Sequence, residues 1–191
     1  MNETLTVSPP VNEALQTIYQ RRAVRKYTNK PVAKELIEQI IDAGRMAPSA
    51  INKQPWRFYV LTKKAQILAC SLEIEQKAEQ FLHLAHGANM SLNDDFIFHN
   101  APVVIFISAP KDNEWASMDV GMCAENMMLA AKSLGIDSCP VGLARFVEKT
   151  KFCSTLNIPE NEHVLLAIIL GYGDEQPEAK IRNRDNVFFI S

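Results

Sequence analysis

A chain of 191 residues, 47% hydrophobic and 22% charged with a formal net charge of −2, is sized for one domain with a substantial core. Its longest strongly apolar runs, Val103 to Ile107 and Val164 to Leu170, fall far short of the ~20 residues of a membrane helix. MNETLTVSPP has neither the basic start nor the apolar stretch of a signal peptide, so a single cytoplasmic domain over residues 1–191, with no membrane partner, is expected.

Ser8-Pro9-Pro10 precedes a first predicted helix, Asn12 to Arg21, with Ala14, Leu15 and Ile18 on one face. A second runs from Ala33 to Met46, where Leu36, Ile37, Ile40 and Ile41 form a 3,4 stripe and Pro48 ends it. Phe58 to Thr62 reads as a short strand, and Lys64 to His86 as a third helix. The polar stretch 87–100 reads as a loop or lid, with Phe81, Phe96 and Phe98 in or near it. Ala101 to Ala109 and His163 to Leu170 read as buried strands. Between them lies an apolar, Met-rich helix, Met118 to Leu134, with Ser117 as its expected N-cap. Its apolar residues cover more than one stripe, which predicts burial of two faces, one on the sheet and one on a partner subunit.

The net charge conceals an uneven distribution. Residues 1–72 carry eleven Lys and Arg against five Asp and Glu, and the remainder nine against seventeen. That asymmetry leaves two readings, a solvated charged face or a site for an anionic partner on the N-terminal part. Nucleic acid is an unsuitable one, because the sequence pI near 6.1 is far below the value above 9 typical of such domains. Cys70, Cys123, Cys139 and Cys153 never form CxxC and read as small buried hydrophobes. His83 and His86 stand three apart with Asp94, Asp95 and His99 following, but no spacing fixes a third metal ligand, and no metal is expected.

With seven glycines and neither GxGxxG nor GxxxxGK[ST], a phosphate cannot be cradled by the usual glycine-rich loops. If an anionic ligand binds, cationic side chains must hold it instead, and the arginine fork is suited to a phosphate. Arg21-Arg22-Ala23-Val24-Arg25-Lys26-Tyr27 sets three Arg within five residues at a helix end, and Lys180-Ile181-Arg182-Asn183-Arg184 alternates cation and spacer. Between them in sequence, Ala47-Pro48-Ser49-Ala50-Ile51-Asn52-Lys53-Gln54-Pro55-Trp56 joins small residues to amides suited to the edge of a planar heterocycle.

RRAVRKY, APSAINKQPW, a Met-rich helix ending in LGIDSCPVGL, LGYG and a basic tail together resemble the FMN-dependent nitroreductase family, over residues 18–184. The resemblance implies an α+β, three-layer fold with a central mixed, mostly antiparallel sheet flanked by helices, assembled as an intertwined homodimer. It implies that Arg21, Arg22, Ala23 and Arg25 hold the FMN phosphate and the pyrimidine edge, Ala23 standing where the family usually has a serine hydroxyl. It places Pro48, Ser49, Ala50 and Asn52 at the flavin of the neighbouring subunit, with Gln54 in support. Gly142 and Leu143 match the loop whose N–H faces flavin N5, and Lys180 and Arg182 complete the phosphate site.

The activity so implied is electron transfer from NAD(P)H through FMN to nitroaromatic, quinone or similar conjugated small-molecule acceptors by a ping-pong mechanism. No catalytic acid–base pair is needed, because the flavin carries the chemistry. Two alternatives stand beside it. One is an FMN enzyme of the same fold with narrower chemistry, reductive dehalogenation or flavin fragmentation. The other is a non-catalytic flavin carrier or sensor.

Overall fold

A computed structural model describes residues 12–86, 95–183 and 185–190. The elements in order are α1 (Glu13–Gln20), α2 (Lys34–Arg45), a 3-10 turn (Ala50–Asn52), β1 (Arg57–Leu61), α3 (Lys64–His86) and β2 (Val103–Pro110). They continue with α4 (Ala116–Ser133), β3 (Asp137–Val141), a 3-10 segment (Gly142–Lys149), the single turn α5 (Cys153–Leu156) and β4 (Glu162–Gly171). The four strands pair in the order β1-β2-β4-β3, each pair antiparallel. The mixed character expected of the sheet reduces to one parallel bridge among the described residues, Ala23 to Ser138 at the β3 edge.

Alternation along β2 builds the three layers. Val103, Ile105, Ile107 and Ala109 face a cluster completed by α2 and α4, while Val104 and Phe106 face one completed by α3 and the 3-10 segment. A bulge opposite Ile107/Ser108 gives β4 one extra residue, Leu165, so its alternation changes hand there. Val164 therefore sits in the α3 layer while Leu165 and Leu166 both pack toward α4. Each fully buried Ile or Phe on these strands contributes about 1.5–3 kcal/mol, and β2 is buried from Val103 to Ala109.

Three expectations need correction. α4 starts at Ala116 with Trp115 at its N-cap position and no side-chain cap, so Ser117 lies inside the first turn and is exposed. The second buried face of α4 is covered by α2 of the same chain, where Gly44 lets the helices meet. A Cβ on Gly44 would stand 2.6 Å from Met127 Cγ. β3 was not foreseen as a strand, because Asp137 and Pro140 both disfavour one. Pro140 is tolerated because β3 is an edge strand, and its side chain is exposed.

Of the loop-or-lid segment 87–100, residues 87–94 lie outside the described residues. Residues 95–100 form a packed turn. Its Asp95 carboxylate accepts from the Ser71 hydroxyl, from Phe98 N at 2.8 Å and from Asn100 N at 3.3 Å. Ile97 and Phe98 are buried, Phe98 edge-on to Phe106 with ring centroids 5.8 Å apart, so core packing is the role of Phe98. Phe96 is half-buried against the same cluster. The side chains of Phe81, His83 and His86 lie outside the described ones, as does Asp94.

Candidate functional site

The arginine segment leaves α1 and turns along the edge of the sheet. Ala23 bridges Ser138, Val24 N donates to Ser138 O at 3.0 Å, Tyr27 bridges Gly173, and Thr28 N donates to Tyr172 O at 2.9 Å. Gly173 has no room for a side chain, since a Cβ would meet Asp137 Oδ2 at 2.6 Å. Asp137 Oδ2 accepts from Gly173 N at 3.3 Å and Oδ1 pairs with Lys132 Nζ at 3.2 Å, which fixes the start of β3 against this segment.

The three arginines take three different settings. Arg21 closes α1 and its mostly buried side chain stands with Nε 3.3 Å from Glu125 Oε1 of α4, an ion pair in which Nε makes no hydrogen bond. Arg22 folds back, Nη1 donating to Tyr19 O at 2.7 Å and Arg21 O at 2.8 Å, so it satisfies carbonyls left open at the helix end. Arg25 is exposed, and its backbone N–H donates to Glu175 Oε1 at 2.6 Å. A cleft of about 810 Å³ opens beside Arg22, walled also by Gln20, Val24, Lys132, Asp137 and Gly173 to Pro177; Arg21 and Arg25 do not line it.

Beneath this segment, burial pushes the Cys139 thiol up, opposed by the positive charges of Arg25 and Arg21. Burial also raises the Tyr27 phenol, reinforced by Cys139 and Asp137. Its hydroxyl donates to Val24 O at 2.5 Å. Neither group is poised to ionise near neutral pH, and both serve as a neutral floor.

At the far end of β3 the backbone opens. Gly142 is exposed with nothing within 4 Å of where a Cβ would stand, and Leu143 is half-buried against the α3-side core. From Ser138 to Gly142 the chain advances four residues, roughly 13 Å of strand.

The segment Pro48 to Gln54 sits elsewhere, at the N-terminal end of α4. Ala50 N donates to Asp119 Oδ1 at 3.1 Å. Ile51, Asn52 and Gln54 have φ of 47°, 58° and 46°, a left-handed conformation costing of order 1–3 kcal/mol for each non-glycine residue. Asp119 and Glu125 are six residues apart on α4, about 9 Å along the axis and about 120° around it. The loop and Arg21 therefore lie on different faces of one helix. Within one chain the structure does not bring them into a single pocket.

Lys180 and Arg182 lie exposed on an irregular tail beyond Pro177 and do not line the cleft; Arg184 lies outside the described residues. Glu125, Asp119, Asp137 and Glu175 are the polar residues the sequence reading missed. An acid inside the apolar first turn of α4 was the one signal available for Asp119; the others are ordinary surface charges until the fold pairs them. Among the described residues no group of three or more His, Cys, Asp or Glu could hold a metal ion, and no helix is long and apolar enough to cross a membrane.

A family model for the nitroreductase family matches residues 18–172. The chain belongs to that family. This nitroreductase-family chain is 30% identical to 4-nitrobenzoate reductase from Pseudomonas putida, over 83% of this chain and 84% of that protein. It is 27% identical to NADPH-flavin oxidoreductase from Vibrio harveyi, over 90% of this chain and 70% of that one. Among solved structures, a nitroreductase with bound FMN from Bacteroides fragilis superposes with a TM-score of 0.79 at 25% identity, covering 95% of this chain and all of that one. An FMN-dependent nitroreductase from Clostridium difficile gives 0.73 at 26%, covering 93% and 99%. The family resemblance and the α+β, three-layer fold expected from the motifs are thereby borne out.

Proposed function

We propose that the protein is an FMN-carrying, NAD(P)H-dependent oxidoreductase that reduces nitroaromatic, quinone or similar flat conjugated acceptors, working as a homodimer. The observation that carries this reading is the layout of β3. The segment that carries the arginines bridges to one end of it through Ala23, and an exposed, side-chain-free Gly142 lies at the other, roughly 13 Å away. An elongated cofactor with a dianionic phosphate at one end and a planar ring at the other suits that layout.

Arg21 and Arg25 supply the cationic end, with Lys180 and Arg182 closing over the phosphate from the tail. The Glu125 pairing engages Arg21 through Nε, which leaves the guanidinium fork for a bidentate grip. Arg22, spent on the end of α1, steadies the turn that presents Ala23 and Arg25. The Gly142 N–H and the half-buried Leu143 bound the ring. Pro48, Ser49, Ala50, Asn52 and Gln54 reach the ring held by the second copy. When bound, FMN supplies the electron relay between NAD(P)H and acceptor, in ping-pong fashion. The chain's own residues bind, orient and exclude water, and no side-chain acid or base has to move a proton.

Dimerisation is supported by apolar surface that one chain leaves uncovered. α1 has no buried residue, and its Leu15, Ile18 and Tyr19 are exposed. Met118 and Gly121 expose a strip of α4, and Val187 to Ile190 are 64–97% exposed on the tail. Apolar surface of that extent marks an association site. A second copy also brings its own loop at Ala50 to a site that, within one chain, lacks it.

The test is the visible spectrum and solution mass of the purified protein, followed by anaerobic NAD(P)H. A yellow dimer that bleaches promptly supports the reading; a yellow protein that stays yellow is a carrier, and one that takes up no FMN overturns it. Arg21→Ala is expected to weaken FMN binding by about 10- to 100-fold, the value of one or two charge-assisted hydrogen bonds. Unchanged affinity removes Arg21 from the phosphate site.

A further inference from the structure

We propose that Asp119 is a positioning residue that docks the strained 48–54 loop onto α4 and so holds it ready for the flavin. The inference rests on the reading above that this loop contacts FMN.

Inside the loop, hydrogen bonds fix its shape. Asn52 N donates to Ser49 O at 2.9 Å, Lys53 N to Ala50 O at 3.1 Å, Gln54 N to Ser49 Oγ at 2.9 Å, and Gln54 Nε2 to Asn52 Oδ1 at 3.1 Å. Every one of these partners lies within residues 49–54. The bond from Ala50 N to Asp119 Oδ1 is, among the described hydrogen bonds, the one that ties the loop to the rest of the molecule. Apolar anchoring does not replace it, since Ile51 at the apex is 88% exposed. Ala47 and Trp56 are buried on either side, so the ends of the segment are held while its middle depends on Asp119.

Left-handed conformations at Ile51, Asn52 and Gln54 persist only where surrounding structure over-determines them. A loop with this strain and no docking bond would relax toward other conformers, and FMN would bind only the fraction still in the right one. Asp119 is suited to the task. It is 1% exposed, it is the fourth residue of α4, and the helix N-terminus favours a negative charge there. Its second oxygen, Oδ2, is buried without a hydrogen-bond partner. A residue kept for packing alone would be apolar and avoid that unmatched atom. The oxygen that does have a partner points at the loop.

Two substitutions remove the bond from opposite sides. Asp119→Ala deletes the acceptor. Ala50→Pro deletes the donor at the first position of the 3-10 turn, where proline is tolerated, after a Ser49 already extended at φ −143° and ψ 155°. Asp119→Asn keeps the Oδ1 acceptor and serves as the conservative rescue.

In FMN-free protein, hydrogen exchange at the Ala50 amide is expected to rise at least about tenfold in Asp119→Ala, while Ile105 in β2 keeps its protection. The FMN Kd is expected to rise by about 10- to 100-fold in each single variant, and no further in the double variant, because both remove one bond. At saturating FMN, kcat returns to the wild-type value, since Asp119 touches no reacting atom. Asp119→Asn stays within about threefold of wild type on both measures. Wild-type Ala50 exchange in Asp119→Ala, multiplicative effects in the double variant, or an Asp119→Asn as weak as Asp119→Ala each overturns the proposal. Should Asp119→Ala fail to fold, Ala50→Pro decides in FMN-free protein: faster exchange at the Lys53 and Gln54 amides, which bond inside the loop, upholds the tie, and wild-type exchange there overturns it. A wild-type protein that takes up no FMN refutes the FMN reading instead, and leaves the exchange result standing.

Discussion

Gly44 is where α2 and α4 touch, and Gly44→Ala tests that packing with a single methyl group. An alanine in a helix is worth about 0.5–1 kcal/mol more than a glycine, so on propensity alone the variant gains stability. Packing reverses the sign. The new Cβ would stand 2.6 Å from Met127 Cγ and 3.1 Å from both Cys123 Sγ and Met127 Sδ. Met127 and Cys123 are both fully buried in the cluster that faces β2 and β4, so neither can yield without moving the helix. A contact of 2.6 Å puts the overpacking cost in the upper part of its usual range, about 2–3 kcal/mol, and the net loss is about 1–2.5 kcal/mol once the helix gain is subtracted. For a chain of this size that lowers Tm by about 2–10 °C in a thermal melt followed by circular dichroism. A Tm equal to or above wild type would falsify the claim that α2 and α4 are locked at this glycine.

Gly121→Ala applies the same chemistry to the opposite face of α4, where no atom lies within 4 Å of the added Cβ. If a second copy covers that face, sedimentation will show weakened self-association; unchanged association with a Tm raised by the helix gain places the contact elsewhere. Burial pushes the Cys70 and Cys123 thiols from 9.0 up to about 12. Both raised values mean that the unfolded chain binds fewer protons above pH 9, so stability is full below pH 9 and lost as pH rises toward 12. Urea unfolding between pH 8 and 11 should show this fall, and Cys123→Ala should make it shallower; an unchanged slope contradicts the burial argument. Glu162→Ala removes a buried carboxylate that accepts from Ser108 Oγ at 2.5 Å and pairs with Arg57 Nε at 2.6 Å. It leaves the buried Ser108 hydroxyl unmatched and is expected to cost about 1–3 kcal/mol in chemical denaturation; a loss below about 0.5 kcal/mol would show that the hydroxyl finds another partner.

Periodicity and apolar runs located α1 to α4 and β1, β2 and β4, because burial on one or two faces leaves its trace along the chain; the 3-10 segment Gly142–Lys149 left none that was read. α3 was legible to the residue, Lys64–His86, and β2 and β4 to within two residues at each end. β3 was not legible, since an edge strand carrying Asp137 and Pro140 exists because β4 offers it a partner. The site divides the same way. RRAVRKY and APSAINKQPW were readable because, in this order with the Met-rich helix and LGYG, they resemble the nitroreductase family. Their separation onto different faces of α4 was not, nor was the spending of Arg22 on a helix end.

What the amino-acid order determined by itself is therefore the family, carried by the arginine segment, the small-residue and amide segment and the Met-rich helix. Tertiary structure decided where each charge could act. Arg21 meets Glu125, Asp119 meets Ala50, and Asp137 meets both Lys132 and Gly173. Those pairings depend on long-range packing of α4 against the sheet and α2, and no local pattern of residues encodes a contact made 69 or 104 positions away in the chain.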